Sequence, residues 1–220
     1  MCNLYSITTS QQAMRDLFRV TRDRLGNLPP LPGIFPDYRA PVIRREADGE
    51  RAMDMMRWGM PGPVKFGEKP CTNIRNVQSP HWRPWLRKEY RCLVPASSFS
   101  EYSDTTPKVI HWFALDDARP PFAFAGIWRP WRGTRGTKAN PVEGEHLVFS
   151  FLTCEPNDVV RPVHSKAMPV ILTGEDCDTW LEGETAEALA LQKPFPADRM
   201  KIVAVGARLD EPTALLASVG

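Results

Sequence analysis

The run His146-Leu147-Val148-Phe149-Ser150-Phe151-Leu152-Thr153 is the strongest constraint on how this chain of 220 residues can fold. An almost unbroken apolar stretch of that length suits a strand covered on both faces, and it falls far short of the roughly 20 residues a membrane-spanning helix requires. It predicts a central strand over 145–154. Further strand-like runs lie at 1–8, 41–45, 51–57, 91–95, 98–103, 108–115, 122–128 and 201–205. Helical periodicity is confined to short pieces. Ser10 or Thr9 can cap a helix whose apolar stripe is Ala13, Met14, Leu17 and Phe18, all expected in the core. Residues 79–86 suggest another short helix, and 175–182 and 184–191 two acidic-faced ones. Many strands with few, short helices predict an α+β fold: a single domain over residues 1–220 with a barrel-like, mostly antiparallel β-sheet core flanked by short helices. The 22 prolines are about twice the ordinary share but are dispersed. Five of them, Pro29, Pro30, Pro32, Pro36 and Pro41, make 26–41 read as a rigid loop rather than an element. Residues 60–72 read as loop again.

Composition narrows the function classes. Arg15, Asp16 and Arg19 interrupt the N-terminus early and leave no signal-peptide pattern. A bacterial-type cytosolic protein without membrane association is the simplest expectation. The five cysteines are odd in number and form no C-x-x-C, which argues against a disulfide framework and a zinc site. Cys92 and Cys154 sit in apolar runs and read as inert core thiols. No Walker loop, G-x-G-x-x-G, G-x-S-x-G or H-E-x-x-H occurs, so no cofactor and no metal are expected. The formal net charge of +2 hides an uneven distribution. Residues 81–91 carry Arg83, Arg87, Lys88 and Arg91 against Glu89. Residues 128–138 carry Arg129, Arg132, Arg135 and Lys138 with no acid, whereas 173–187 are purely acidic. A chain basic on one side and acidic on another can bind a polyanion without a high overall pI.

Position 2 carries unusual chemistry. Small second residues generally permit removal of the initiator methionine, and loss of Met1 would leave Cys2 as a free 1,2-aminothiol. An α-amine titrates near 7.7–8.0, so roughly a tenth of it is the neutral nucleophile at pH 7. A thiol two bonds away can close on a Schiff base made with an aldehyde, giving a thiazolidine ring; with an amide or ester the same cysteine is an acyl-transfer nucleophile. On its own the position reads more readily as an ordinary cysteine.

Four other stretches hold polar residues beyond what a structural loop needs. Asn73-x-Arg75 sets an amide beside a guanidinium, a pairing also found in plain surface loops. Phe99-Ser100-Glu101-Tyr102 puts a carboxylate in an aromatic strand, pointing opposite to Phe99-type neighbours or sitting in a bulge. If desolvated it suits general acid–base work; if exposed it is an ordinary strand residue. Thr153 and Asn157 lead into a loop that opens with His164 and Lys166 directly before a buried strand, a place where scaffolds present functional groups. The pairs Trp82/Trp85 and Trp128/Trp131 alternate with basic residues, which fits either stacking of single-stranded bases or a core edge with a solvated face.

Taken in order, Met1-Cys2, Trp58-Gly59-Met60, Asn73-Ile74-Arg75, Arg91-Cys92-Leu93-Val94-Pro95-Ala96, Phe99-Ser100-Glu101, Phe124-Ala125-Gly126-Ile127-Trp128, Thr153 with Asn157, and His164 through Leu172 resemble the SOS response-associated peptidase (SRAP) family of abasic-site processing proteins. The likeness covers most of the chain. It implies a Cys-dependent autopeptidase that loses Met1, then captures the ring-opened aldehyde of an abasic site in single-stranded DNA as a thiazolidine crosslink, with β-elimination as a possible lyase side reaction. By position, Cys2 is the nucleophile, Asn73 orients it or holds the opened sugar, Glu101 moves protons, and His164 assists at the sugar hydroxyl or the imine. Arg75, Lys166, Thr153, Tyr102 and Pro36 are the implied DNA contacts. The resemblance implies no small-molecule cofactor, a monomer, and association with the nucleoid when bound to DNA.

Departures from the family pattern fall on the DNA side. Asn3-Leu4 stands where Gly-Arg is common, and Tyr102 where tryptophan is. His164-Ser165-Lys166-Ala167-Met168-Pro169 replaces a His-Asp-Arg-Met-Pro motif and is one residue longer. A rival assignment is an N-terminal-cysteine amidohydrolase or peptidase acting on proteins or small amides, and a third is a non-catalytic single-strand binding module.

Overall fold

The computed structural model describes residues 2–64 and 70–212. In chain order the first elements are β1 (Tyr5–Ile7), α1 (Gln11–Phe18), β2 (Arg22–Asp23), β3 (Leu31–Ile34), β4 (Arg39–Arg45) and β5 (Arg51–Trp58). The two-residue strands β6 (Met60–Pro61), β7 (Pro70–Cys71) and β8 (Asn73–Ile74) come next, then β9 (Arg91–Ala96), β10 (Ser98–Tyr102) and β11 (Ile110–Ala114). A long hairpin of β12 (Phe122–Gly136) and β13 (Pro141–Cys154) is followed by β14 (Met168–Pro169), β15 (Ile171–Leu172), α2 (Glu175–Glu182), α3 (Thr185–Ala190) and β16 (Lys201–Val205).

Strands β13, β12, β9, β4 and β5 are hydrogen-bonded in that order, and a parallel pairing of Val148 with Arg57 and Phe149 with Trp58 joins β13 to β5. The result is a closed five-stranded barrel, which leaves no free edge among its staves. The fold is α+β, and its ladders are antiparallel except β13–β5, β13–β8 and β2–β5. Strand β13 also pairs with β8 and β14. That explains its composition: Val148, Phe149, Phe151 and Leu152 are all fully buried, so neither face needs polar residues.

A second sheet, in the order β16-β11-β10-β1-β3, lays its inner face on the barrel. The contact is aromatic. Tyr5 meets Trp58, Phe124 and Phe151 edge-on at 5.1, 5.6 and 6.1 Å, and Phe99 stacks on Phe113 at 5.2 Å. Edge-on and offset pairs of this kind contribute about 0.5–1.5 kcal/mol each beyond their buried area. They anchor β1, and with it the N-terminus, to the barrel.

Several expectations need correction. Residues 26–41 contain β3 and the start of β4. Pro32 is tolerated because β3 is an edge strand, bonded only to β1. Within 60–72, Met60–Pro61 pairs with Pro70–Cys71, and residues 65–69 lie outside the described set. Gly59, between β5 and β6, has φ +120°, and a Cβ there would sit 2.9 Å from the Pro70 Cβ. The expected strand over 1–8 is confined to Tyr5–Ile7, and Met1 is outside the described residues. In α1 the Ser10 hydroxyl accepts from the Ala13 N–H at 3.1 Å, a side-chain N-cap. Met14 and Phe18, four apart, form its buried stripe, but Leu17 is 47 % exposed. Two turns present too narrow a stripe to bury both neighbours. The helix expected over 79–86 is a single 3₁₀ turn, Arg83–Leu86. Strands β12 and β13 both run past the predicted 122–128 and 145–154, paired as far as Gly136 and Pro141.

Candidate active site

Cys2 lies at the seam between the barrel and the second sheet, buried to 1 % exposure. Two neighbours hold its backbone. Strand β1 pairs with β10, and the Ser100 N–H donates to the Leu4 carbonyl at 2.9 Å. From the barrel side, Asn73 Nδ2 donates to the Cys2 carbonyl at 2.7 Å and to Thr72 Oγ1 at 2.8 Å. Asn73 is placed there by the parallel register of β8 on β13, which matches it with Phe151. The Cys2 thiol points inward and donates to the Leu4 carbonyl at 3.4 Å. Burial pushes the thiol far above its ordinary range, and the charge of Glu101 adds to the displacement.

Glu101 is the next residue of the site. The β10–β11 register runs without a shift from Phe99↔Phe113 to Tyr102↔Ile110. There is no bulge, and strand alternation puts Glu101 on the same face as Phe99, not the opposite one as expected from the sequence. Its carboxyl is 4 % exposed, and burial raises it from the ordinary 4.5 to about 7. His164 Nε2 lies 3.9 Å from Glu101 Oε2. Burial also lowers the His164 pKa, favouring the neutral ring.

Two residues that sequence reasoning did not single out complete this corner. Asp104 Oδ1 is 3.9 Å from His164 Nδ1, and Ser165 donates to Asp104 Oδ2 from its backbone N–H at 3.3 Å and its hydroxyl at 2.9 Å. Those bonds hold the Asp104 carboxyl below its usual range. The imidazole thus sits between two carboxylates, one buried and one exposed. Asn157 builds the turn that presents it. Its Oδ1 accepts from the Val159 and Val160 N–H groups at 3.2 and 3.0 Å, its Nδ2 donates to the Phe195 carbonyl at 2.8 Å, and the His164 N–H then donates to Val160 O at 2.8 Å.

A cleft of about 400 Å³ opens beside Glu101, lined by Asn3, Leu4, Phe35, Pro36, Ser100 and Tyr102. Pro36 and the half-exposed Tyr102 therefore share one wall with the carboxylate. Arg75 is exposed and ion-paired with Glu155, and its carbonyl accepts from Gln192 Nε2 at 2.9 Å. The same Gln192 nitrogen donates to the Thr153 carbonyl at 2.9 Å. Thr153 itself is 2 % exposed within β13, away from the surface that Arg75 and the exposed Lys166 occupy. Among the described residues no three His, Cys, Asp or Glu side chains gather as a metal site, and no helix is long and apolar enough to cross a membrane.

The family model for SOS response associated peptidase (SRAP) matches residues 1–212. The chain belongs to this family. Abasic site processing protein YoqW of Bacillus subtilis (strain 168) is 28 % identical over 196 residues, covering 85 % of this chain and 84 % of YoqW. Abasic site processing protein YobE of the same organism is 28 % identical over 197 residues, covering 85 % of each chain. A crystal structure of a protein from Bordetella bronchiseptica aligns with a TM-score of 0.71 at 26 % identity, over 94 % of this chain and 99 % of that one.

Part of the basic, tryptophan-containing surface of this SRAP protein is taken up internally. Arg129 lies over Trp85 at 4.4 Å, Arg44 over Trp128 at 4.8 Å, and Arg135 over Trp131 at 4.5 Å, while Trp82 is buried. The alternating basic and tryptophan residues thus form a core edge closed by arginines. Cys92 and Cys154 are buried, and burial raises the first thiol well above its usual range and the second to about 12.

Proposed function

We propose that this protein captures abasic sites in single-stranded DNA by forming a covalent thiazolidine on Cys2. The observation that carries the reading is the meeting of segments far apart in the chain: Asn73 bonds the Cys2 carbonyl, His164 lies 3.9 Å from the buried Glu101, and Glu101 lines the cleft beside Asn3 and Leu4. The names of YoqW and YobE, abasic site processing proteins, supply the substrate.

Hydrolysis of the Met1–Cys2 peptide bond frees the α-amine. An abasic sugar is mostly a closed hemiacetal, and opening it needs a proton added at the ring oxygen and one removed from the anomeric hydroxyl. A carboxyl near 7 both donates and accepts readily at neutral pH, which suits Glu101 for that exchange. The amine then adds to the aldehyde, water leaves, and an imine forms. Sulfur adds to the imine carbon while its proton passes to nitrogen, closing the five-membered ring. Neutral His164, its Nε2 3.9 Å from Glu101 Oε2, assists proton transfer at the sugar hydroxyl or the imine. Asn73 keeps the Cys2 carbonyl, and with it the new N-terminus, aimed at the cleft. Arg75 and Lys166 meet phosphates, Arg75 by exchanging Glu155 for the DNA, while Pro36 and Tyr102 bound the path of the strand. Thr153 contributes from beneath by fixing Gln192 under Arg75. An imine left open permits β-elimination, so rapid ring closure by the thiol favours a protected strand over a broken one.

The test is intact mass of the purified protein, alone and after incubation with a single-stranded oligonucleotide carrying one abasic site. Loss of methionine and a heat-stable adduct missing in Cys2→Ala are expected. Processed protein without an adduct would overturn capture in favour of amide hydrolysis.

A further inference from the structure

Residues 206–210 run across the second sheet from β11 to β3 and pass Phe35, a wall of the cleft. The Gly206 N–H donates to Ile110 O at 2.8 Å, and Trp112 Nε1 donates to the Ala207 carbonyl at 2.8 Å. At the far end Asp210 is 1 % exposed and bonded on every side. Its N–H donates to Pro32 O at 2.9 Å, Ser6 and Ser98 hydroxyls donate to Oδ2 at 3.0 and 2.5 Å, and Arg119 Nε donates to Oδ1 at 2.9 Å. Leu209 packs over Gly33, where a Cβ would come within 2.6 Å of Leu209 Cδ2. The strap is thus pinned on both sides of residue 208.

Arg208 itself is exposed, with its guanidinium carbon 5.5 Å from the Phe35 ring. Phe35 lines the cleft that contains Glu101. The neighbouring Arg119 is committed to Asp210, whereas Arg208 has an aromatic partner and no carboxylate among the described residues. A guanidinium stacked on a ring keeps its N–H edge free for an anion and loses little freedom on binding one. The residues that line the cleft, among them the buried Leu4, include no cation.

We infer that the C-terminal strap belongs to the nucleic-acid contact surface, with Arg208 binding one phosphodiester of a single strand seated in the cleft. This rests on the reading of the cleft as a DNA site. The strap then has two tasks: Asp210 locks β1 to β10 through Ser6 and Ser98, and Arg208 uses the rigidity so created to meet the backbone of the strand.

The experiment measures binding of an oligonucleotide with a tetrahydrofuran abasic analogue, which cannot form an imine, across a salt series. Neutralising one phosphate contributes about −0.7 to the log–log slope on a single strand. Arg208→Ala is expected to flatten the slope by about that amount and weaken binding at low salt, with an unchanged thermal midpoint. Arg208→Lys, which keeps the charge, is expected to restore the slope. An Arg208→Ala slope equal to the wild-type one, or a changed midpoint without a changed slope, overturns the inference, as does failure of the oligonucleotide to bind. Crosslinking to a true abasic site is scored separately: wild type that binds the analogue but forms no adduct contradicts the capture chemistry and leaves the Arg208 assignment standing.

Discussion

Around Cys2, polar side chains are buried and face one another across β1, β8, β10 and the turn before β14; around Trp85 and Trp128, they lie near the surface and are taken up by their own neighbours. The two regions look alike as text, since both interleave aromatic and charged residues. In the first, a carboxyl is held at 4 % exposure, and the cost of desolvating it raises its pKa toward neutrality. In the second, Arg44 and Arg129 cover tryptophan faces at 4.8 and 4.4 Å, and Trp85 meets Tyr90 edge-on at 4.9 Å. Trp85 and Trp128 each already have one face taken by an arginine. Burial of an ionisable group is unfavourable unless it is paired or neutralised, whereas arginine stacked on tryptophan is by itself stabilising.

The comparison breaks most sharply at Cys2. Cys2→Ala is expected to abolish the heat-stable adduct entirely, read by denaturing gel and mass, while an Arg129→Ala protein crosslinks at the wild-type rate. Should both variants lose the adduct, the basic edge is part of the site after all.

Glu101 separates the regions by pH. Its folded-state pKa is raised, from 4.5 to about 7, so the folded protein holds this proton more tightly than the unfolded chain. Stability from this group is fully present below about 4.5, declines as pH rises through 7, and is level above that. The displacement corresponds to up to about 3 kcal/mol. Denaturant melts of wild type and Glu101→Gln at pH 5 and pH 8 check it: the wild type is expected to lose that much more than the variant, and parallel losses would mean the carboxyl is not desolvated.

Asn73→Ala comes next. It removes the 2.7 Å bond to the Cys2 carbonyl and leaves a buried acceptor unpaired, a cost of about 1–3 kcal/mol, or roughly 5–150-fold in single-turnover crosslinking rate. A rate within a factor of two of wild type would show that β1 alone positions the nucleophile.

The smallest effect belongs to the tryptophan edge. Arg129→Ala is expected to lower stability by about 0.5–1 kcal/mol through loss of the contact over Trp85, with single-strand affinity changed by no more than one rim charge. A larger drop in affinity than in stability would return this surface to the DNA path.

Some of the architecture is legible along the chain. The strand at 91–95 and the paired acidic helices appear where their apolar residues put them, because each has buried positions to encode; the closing strand at 201–205 appears too, though none of its residues is buried. Strand β3 is hidden by prolines that only an edge position tolerates. The outer half of the β12–β13 hairpin carries arginines, glycines and glutamates instead of alternating apolar residues, so its length depends on pairing. At the site, Cys2, Asn73, Glu101 and His164 are named by resemblance to a family. Asp104 and Arg208 carry no motif and are visible only as neighbours, and Ser165, though inside the histidine motif, gains a role only through its bonds to Asp104.

The sequence by itself determined the class of fold and the chemistry at hand, because apolar spacing and side-chain identity are local properties. A cysteine at position 2, a carboxylate in an aromatic strand and a histidine opening a loop are all there to read. Only the tertiary structure decided which of them meet. The parallel joining of β13 to β5 and β8 closes the barrel and brings Asn73 to Cys2, and the regular β10–β11 ladder turns Glu101 inward. Pairings between strands distant in sequence depend on the summed packing of the whole core, and burial, which tunes Glu101 and orients Cys2, exists only once that core has formed.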